Sequence, residues 1–155
     1  MKTLLLIRHA EAGWGDFGQN DIERTLTSRG LMQADDMAKR LKEKQLVPDR
    51  VCSSTAIRAE MTAQRLFEHH AIQWDKSLYL AEPEMLLQQI KAADDDVQTL
   101  AIVAHNPGIS ALADALSSES VHGMAPCTVA VLQWNVQQWS DIKQGAGELS
   151  AYLQA

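Results

Sequence analysis

An apolar run near the start of the chain, Leu4-Leu5-Leu6-Ile7, limits the fold more than any other stretch. A run without polar alternation is typical of a strand that is buried on both faces, at the centre of a parallel sheet. It ends at Arg8 and His9, and a polar, glycine-rich segment follows. Because open α/β sheets bind ligands outside the carboxyl ends of their strands, Arg8 and His9 are predicted to lie in a functional site.

The rest of the chain alternates between strand and helix patterns. Strands are predicted at 50–52, 72–80, 100–104, 128–134 and 148–153, and helices at 27–45, 56–67, 83–93 and 108–116. A loop at 10–26 is long enough to be functional, and its Trp14 is a candidate substrate contact. This order predicts an α/β fold: a three-layer α/β/α sandwich with a mostly parallel central sheet of about six strands. The 155 residues are expected to form a single domain, 1–155.

Composition excludes several classes of function. The formal net charge is −6 and no basic stripe is visible, which argues against a nucleic-acid partner. No apolar run approaches the roughly 20 residues of a membrane span, and no signal peptide is visible, so a cytoplasmic protein without a membrane partner is expected. Cys52 and Cys127 fit neither a disulfide framework nor a metal site, and we expect free thiols in the core and no bound metal.

Cationic and imidazole side chains follow three of the predicted strands. Arg8 and His9 follow the first strand, Arg58 opens the helix after the second, and His105 follows the strand at 100–104. Arg58 and His105 lie at helix starts, where free N–H groups and the helix dipole favour anions. Together these groups predict a pocket for a doubly charged phosphoryl group, with His9 as the nucleophile.

Four segments resemble the pattern of the histidine phosphatase superfamily, which includes the phosphoglycerate mutases. They are Leu6-Ile7-Arg8-His9-Ala10, Arg24-Thr25-Leu26-Thr27 with Gly30, Ser53-Ser54-Thr55-Ala56-Ile57-Arg58-Ala59 with Thr62, and Val103-Ala104-His105-Asn106-Pro107. The short passage between Arg58 and His105 is most similar to the SixA-type phosphohistidine phosphatases. The resemblance implies a phosphoglycerate mutase-like fold, His9 as nucleophile, a phosphoryl group held by Arg8, Arg58 and His105, and no cofactor.

Imidazole chemistry agrees with this assignment. The ordinary pKa of histidine, about 6.5, makes imidazole a competent nucleophile near neutral pH. The attacking nitrogen of His9 must be neutral, so the other ring N–H is expected to bond to an acceptor such as a backbone carbonyl. The arginine forks, and His105 in its protonated form, would stabilise the charge on the phosphoryl oxygens.

The general acid has two candidates, and the sequence leaves both open. Larger relatives place a glutamate after the third strand, which corresponds to Glu82, and the loop carboxylate Asp21 is its rival. A serine alkoxide leaves poorly because its pKa is comparable to the ~15.7 of water. Phosphohistidine protonated on its distal nitrogen leaves as neutral imidazole, so a poorly defined acid favours an N–P substrate.

The expected partner is a phosphorylated histidine-containing phosphotransfer protein, and the protein itself is expected to be a monomer or weak dimer. A small phosphoester is the alternative substrate, and a phosphoprotein-binding module without turnover is a third hypothesis.

The segment from Cys52 to Arg58 also has the spacing of the protein tyrosine phosphatase loop. That loop normally needs glycine to turn its N–H groups inward, and this segment has none.

Overall fold

A computed structural model of the protein describes residues 1–16 and 18–155, so Phe17 of the predicted loop 10–26 lies outside the described residues. The strands are β1 (Lys2–Arg8), β2 (Arg50–Ser53), β3 (Ile72–Trp74), β4 (Thr99–Ala104), β5 (Val129–Trp134) and β6 (Glu148–Leu153). The α-helices are α1 (Ser28–Glu43), α2 (Ile57–Leu66), α3 (Pro83–Lys91) and α4 (Gly108–Leu116). Short 3-10 helices span Asp21–Glu23, Lys76–Leu78 and Trp139–Asp141.

The six strands form one sheet in the order β3-β2-β4-β1-β5-β6. Strands β3, β2, β4 and β1 pair in parallel, whereas β5 is antiparallel to both β1 and β6. The predicted mostly parallel sheet of about six strands is therefore confirmed, with β1 near its centre. The chain passes from β4 through α4 into β5, which lies antiparallel beside β1, and β6 then pairs with β5 at the edge of the sheet.

Side chains of β1 alternate between two cores. Leu4 and Leu6 pack with residues of α3 and α4 on one face of the sheet. Leu5 and Ile7 pack with residues of α1 and α2 on the other face. All four side chains are fully buried, which confirms both the buried central strand and the three-layer arrangement. No helix among residues 1–16 and 18–155 is long and apolar enough to cross a membrane.

The strand predicted at 72–80 is wrong beyond Trp74. The carboxylate of Asp75 accepts a hydrogen bond of 2.9 Å from the Ser77 N–H and caps the 3-10 helix Lys76–Leu78. The chain then continues through Tyr79 to Leu80, whose φ of 49° is in the left-handed region. A local side-chain-to-backbone bond has therefore replaced the strand, as short acidic and hydroxyl side chains commonly allow. This turn places Tyr79 beside the candidate site.

Helix α1 is anchored to the segment that follows β1. Thr27 caps the helix by accepting a 3.0 Å hydrogen bond from the Gly30 N–H, while its own N–H donates to the Glu11 carbonyl at 3.0 Å. A Cβ atom added to Gly30 would lie 2.1 Å from that same Glu11 carbonyl oxygen. Only glycine allows the helix this close to the backbone that leaves β1.

We expect Gly30→Ala to lower the free energy of unfolding by about 1–3 kcal/mol, because the new methyl group must push the Glu11 backbone away from α1. Urea denaturation followed by circular dichroism measures this loss. Gly13→Ala is the matched control, since a Cβ there meets its nearest neighbour at an ordinary 3.6 Å. Equal stability of the two variants would contradict the packing argument.

Candidate active site

Two adjacent parallel strands deliver the two site histidines. Arg8 of β1 is paired with Ala104 of β4, so His9 and His105 follow the same register position. Their ring centroids are 5.3 Å apart and both residues are buried. Arg58, in the first turn of α2, reaches the same place and is only 3% exposed. The structure therefore brings together His9, the predicted nucleophile, and two of the predicted phosphoryl-binding residues, Arg58 and His105.

The neighbours of His9 determine which of its ring nitrogens carries the proton. Nδ1 lies 2.7 Å from the carbonyl oxygen of Ala10, which can only accept a hydrogen bond. Nδ1 must therefore carry the proton, and Nε2 presents its lone pair. The Nε–H of Arg58 donates to that lone pair at 3.3 Å. The expected backbone acceptor is present, and Nε2 is the ring nitrogen with a lone pair, which accepts from Arg58 in the free protein.

His105 is oriented by Ser54 at the end of β2. Its Nε2 lies 2.7 Å from the Ser54 Oγ, which also accepts a hydrogen bond from the Ala56 N–H at 3.2 Å. With the Ser54 hydroxyl donating to Nε2, a neutral His105 ring carries its proton on Nδ1. Nδ1 is buried and has no hydrogen-bond partner among residues 1–16 and 18–155. It is a donor suited to a phosphoryl oxygen.

Arg8 adds a second guanidinium group. Its Nη1 donates to the carbonyl oxygen of Met124 at 3.0 Å, and the amide of Asn106 donates to the same carbonyl at 3.0 Å. The Arg8 Nε is buried without a hydrogen-bond partner in the part of the chain that the structure describes. A buried N–H of this kind indicates a position prepared for an anion.

Burial and like charge keep both imidazoles neutral. Desolvation first, and then the nearby Arg58 and Arg8, lowers the pKa of His9 to about 4, although the bond to Ala10 opposes this. Desolvation first, and then His9 and Arg58, lowers the pKa of His105 to about 3. His105 is therefore neutral in the free protein at neutral pH, and the protonated form considered from the sequence is not the one that this environment favours. The positive charge of the site resides on arginine.

The structure separates the two candidate acids. Asp21 accepts a 2.9 Å bond from Arg58 and a bond from the Tyr79 hydroxyl. The Tyr79 bond first, followed by those from Arg58 and Arg24, holds the pKa of Asp21 well below its usual range. Asp21 is thus a carboxylate at neutral pH and a poor proton donor. Glu82 is the exposed N-cap residue of α3, and its side chain caps no backbone N–H.

Cys52 is not the fully buried core thiol that the sequence predicted. It is half-buried, its Sγ lies 3.4 Å from the Gln73 Oε1 on β3, and it lines an open cleft of about 350 Å³. Burial is the main factor that raises the pKa of its thiol, and Asp75 raises it further. The donors of Arg58 are directed to His9 and Asp21. The geometry does not support the tyrosine phosphatase alternative.

Tyr79 is the site residue for which sequence reasoning assigned no role. Its ring meets His105 edge-on at a centroid distance of 5.5 Å, and the Arg58 guanidinium lies 6.0 Å from its ring centre. The strand predicted at 72–80 suggested no contact between the Tyr79 hydroxyl and Asp21. No local pattern marks this tyrosine, because its partners come from residues far away in the chain.

Comparison with known proteins places the chain among phosphatases. Residues 4–86 match the model of the histidine phosphatase superfamily, branch 1. An uncharacterized protein of Mycobacterium tuberculosis is 30% identical over 156 residues, which covers 94% of this chain and 98% of that protein.

Two solved structures, both named as candidate SixA phosphohistidine phosphatases, are similar over nearly the whole chain. The protein from Agrobacterium tumefaciens has a TM-score of 0.85 at 29% identity and covers 99% of this chain and 98% of its own. The protein from Nakamurella multipartitia has a TM-score of 0.85 at 26% identity and covers 99% and 95%. The fold prediction is confirmed by these neighbours.

We expect the imidazole signals of His9 and His105 to remain those of neutral rings from pH 8 to pH 5 in NMR titrations of the folded protein. Both have a lowered pKa, about 4 and about 3, so each binds its proton only in stronger acid. The same histidines in urea should titrate near pH 6.5 and act as the control. Because the folded pKa values are depressed, stability is full above about pH 6.5 and falls as the pH approaches 4. A midpoint near 6.5 in the folded protein would contradict this.

Proposed function

Because the chain belongs to the histidine phosphatase superfamily, we propose that it hydrolyses phosphohistidine on a protein through a covalent phosphohistidine on His9. Membership of the family and the SixA-type structure make the chain a phosphatase. The observation that carries the proposal is the neutral His9 ring, with Nδ1–H bonded to Ala10 and Nε2 facing the Arg58 donor.

In the first step, His9 Nε2 forms a bond to phosphorus while the bond from phosphorus to the substrate nitrogen breaks. A substrate ring that is protonated on its other nitrogen leaves as neutral imidazole, so no proton has to move. The Arg58 and Arg8 guanidinium groups and the Nδ1–H of His105 are placed to bond the phosphoryl oxygens.

In the second step, water attacks the phosphorus and the bond between phosphorus and His9 breaks. The water oxygen and both of its hydrogens leave with dihydrogen phosphate, and His9 Nε2 regains its lone pair. The Ala10 carbonyl stabilises the ring charge of the intermediate through Nδ1–H. Neither step requires a proton from a side chain of the protein.

The protonation state of Asp21 supports an N–P substrate. Three donors hold it as a carboxylate, and Glu82 is exposed at the start of α3. An alkoxide leaving group needs a proton in the transition state, and a positioned acid typically contributes about 10²–10⁴-fold to that reaction. Imidazole leaves without this help, so the site is better matched to phosphohistidine than to an alkyl phosphoester.

Exposed apolar side chains beside the site support a protein as the bearer of that group. Trp14 is 78% exposed and its ring lies 3.9 Å from the guanidinium carbon of Arg24. Leu80 is 52% exposed although its left-handed φ of 49° is costly for a leucine. Ile22 and Ile57 are also exposed and directly follow or precede Asp21 and Arg58. Exposed aromatic and aliphatic residues around a polar site are typical of a protein-binding surface.

Incubation with a protein labelled on phosphohistidine should trap an acid-labile, base-stable phosphoryl adduct on His9. His9→Ala should abolish both the adduct and turnover, whereas Cys52→Ser should keep nearly full activity, since the raised pKa of the Cys52 thiol leaves little thiolate. Circular dichroism should establish that both variants are folded before rates are compared. An adduct on another residue, or an inactive folded Cys52→Ser variant beside an active His9→Ala variant, would overturn the mechanism.

Leu80→Asn and Trp14→Ala should each raise KM for a phosphohistidine protein by about 10-fold, the size of one interface contact of moderate strength. Asparagine tolerates the left-handed φ, so Leu80→Asn removes the apolar contact without straining the turn. Met32→Ala is the control, because Met32 is 66% exposed on α1. Steady-state kinetics on the phosphoprotein and on a small phosphoester distinguish docking from chemistry.

The small phosphoester should show less than about a 2-fold change in kcat/KM for the two docking variants, since it cannot reach a protein-sized surface. Equal losses on both substrates would contradict the docking role. Turnover of small phosphoesters far above that of any phosphohistidine protein would overturn the substrate assignment and favour the phosphomonoesterase alternative.

A further inference from the structure

The Tyr79 hydroxyl and Arg58 share one acceptor atom. Tyr79 donates to the Oδ2 of Asp21, and the Nη2 of Arg58 donates to the same oxygen at 2.9 Å. The Arg58 Nη1 also donates to the main-chain carbonyl of Asp21 at 2.7 Å. One residue therefore engages both terminal nitrogens of the guanidinium group.

This arrangement decides which edge of Arg58 faces the nucleophile. A guanidinium group has five N–H donors in a rigid planar fork. Asp21 takes one donor from each terminal nitrogen, and the Nε–H points to the His9 Nε2 at 3.3 Å. The edge that contains Nε is thus presented at the position where a phosphoryl group on His9 would lie.

Asp21 by itself is a weak anchor. Its side chain is 41% exposed, and it lies on a 3-10 helix of three residues whose N-cap residue Asn20 makes no side-chain cap bond. Arg24 holds the other carboxylate oxygen at 3.1 Å. Tyr79 directly follows the 3-10 helix Lys76–Leu78. Its bond to Asp21 therefore connects the loop 10–26 to the segment before α3.

We propose that Tyr79 is a positioning residue for Arg58, which acts by fixing the Asp21 carboxylate that orients the guanidinium edge toward His9. The hydroxyl does not touch the nucleophile, and its proton is already engaged by Asp21. Burial, and then the bond to Asp21, raise the pKa of Tyr79, so the phenol remains a donor across the working pH range. The effect on turnover rests on the proposed phosphatase function, whereas the effect on Arg58 does not.

The test is a double-mutant cycle between Tyr79→Phe and Asp21→Asn in the full chain. Tyr79→Phe keeps the ring against His105 and changes no formal charge, so it removes only the hydroxyl. The first readout is the solvent exchange rate of the Arg58 Nε–H in ¹⁵N NMR spectra of the free protein, assigned through the Arg58→Lys variant. The second is kcat/KM on a small phosphoester, which avoids the docking surface.

Tyr79→Phe should speed the Arg58 Nε–H exchange by about 10-fold and lower kcat/KM by about 10-fold, the size of one hydrogen bond to a charged group. In the Asp21→Asn background the same substitution should change either quantity by less than about 2-fold, because the residue through which Tyr79 acts is already altered. Ser77→Ala is the control: among residues 1–16 and 18–155 the Ser77 hydroxyl bonds to Asp75 in the same turn and to Gln89 of α3, and its loss should leave both readouts unchanged.

A Tyr79→Phe effect of the same size in both backgrounds would overturn the proposal, since it would mean that Tyr79 acts independently of Asp21. Unchanged exchange in the single variant would overturn it too. If the wild-type protein turned over no phosphate compound while the exchange cycle behaved as expected, the proposed function would fail and the positioning role would stand. Thermal unfolding of all variants excludes general destabilisation as the cause of faster exchange.

Discussion

Desolvation of His9 and His105 is the interaction on which the chemistry of this structure depends. Both residues follow neighbouring parallel strands at the carboxyl edge of the sheet, and both are buried. A protonated imidazole loses hydration there, and the guanidinium groups of Arg8 and Arg58 oppose its charge further. The site consequently divides charge between two residue types: arginine carries the positive charge, and the two histidines present neutral rings.

Asp21 introduces a negative charge next to a pocket suited to a dianion, and this has an electrostatic cost. It partly neutralises Arg58, yet it removes the freedom of that long side chain and directs its Nε–H toward His9. The same loop carries Trp14, which stacks on Arg24, and Arg24 in turn holds Asp21. Residues that hold the Arg58 fork and a residue that shapes the surrounding surface therefore lie on the same loop 10–26.

Local signals in the sequence were reliable where one physical effect dominated. The apolar run Leu4–Ile7 could be stable only with both faces covered, and the structure buries it between two helical layers. Thr27 and Pro83 predicted helix starts, and α1 and α3 begin directly beside or at them. The prediction failed at 72–80, where the pattern was weak and the Asp75 cap competed with strand pairing. Beyond Trp74 the cap is the arrangement that the structure adopts.

The sequence by itself determined the fold class, the family, and the set of strand ends that carry Arg8, His9, Arg58 and His105, because parallel strands place their carboxyl ends on one edge. Only the tertiary structure decided the protonation of the imidazoles, the distinction between Asp21 and Glu82, and the part played by Tyr79. Each of these depends on burial or on a hydrogen bond between groups distant in sequence, such as Asp21 and Tyr79, which are 58 positions apart. Periodicity and spacing along the chain report neighbours on one element, and they contain no information about contacts of that kind.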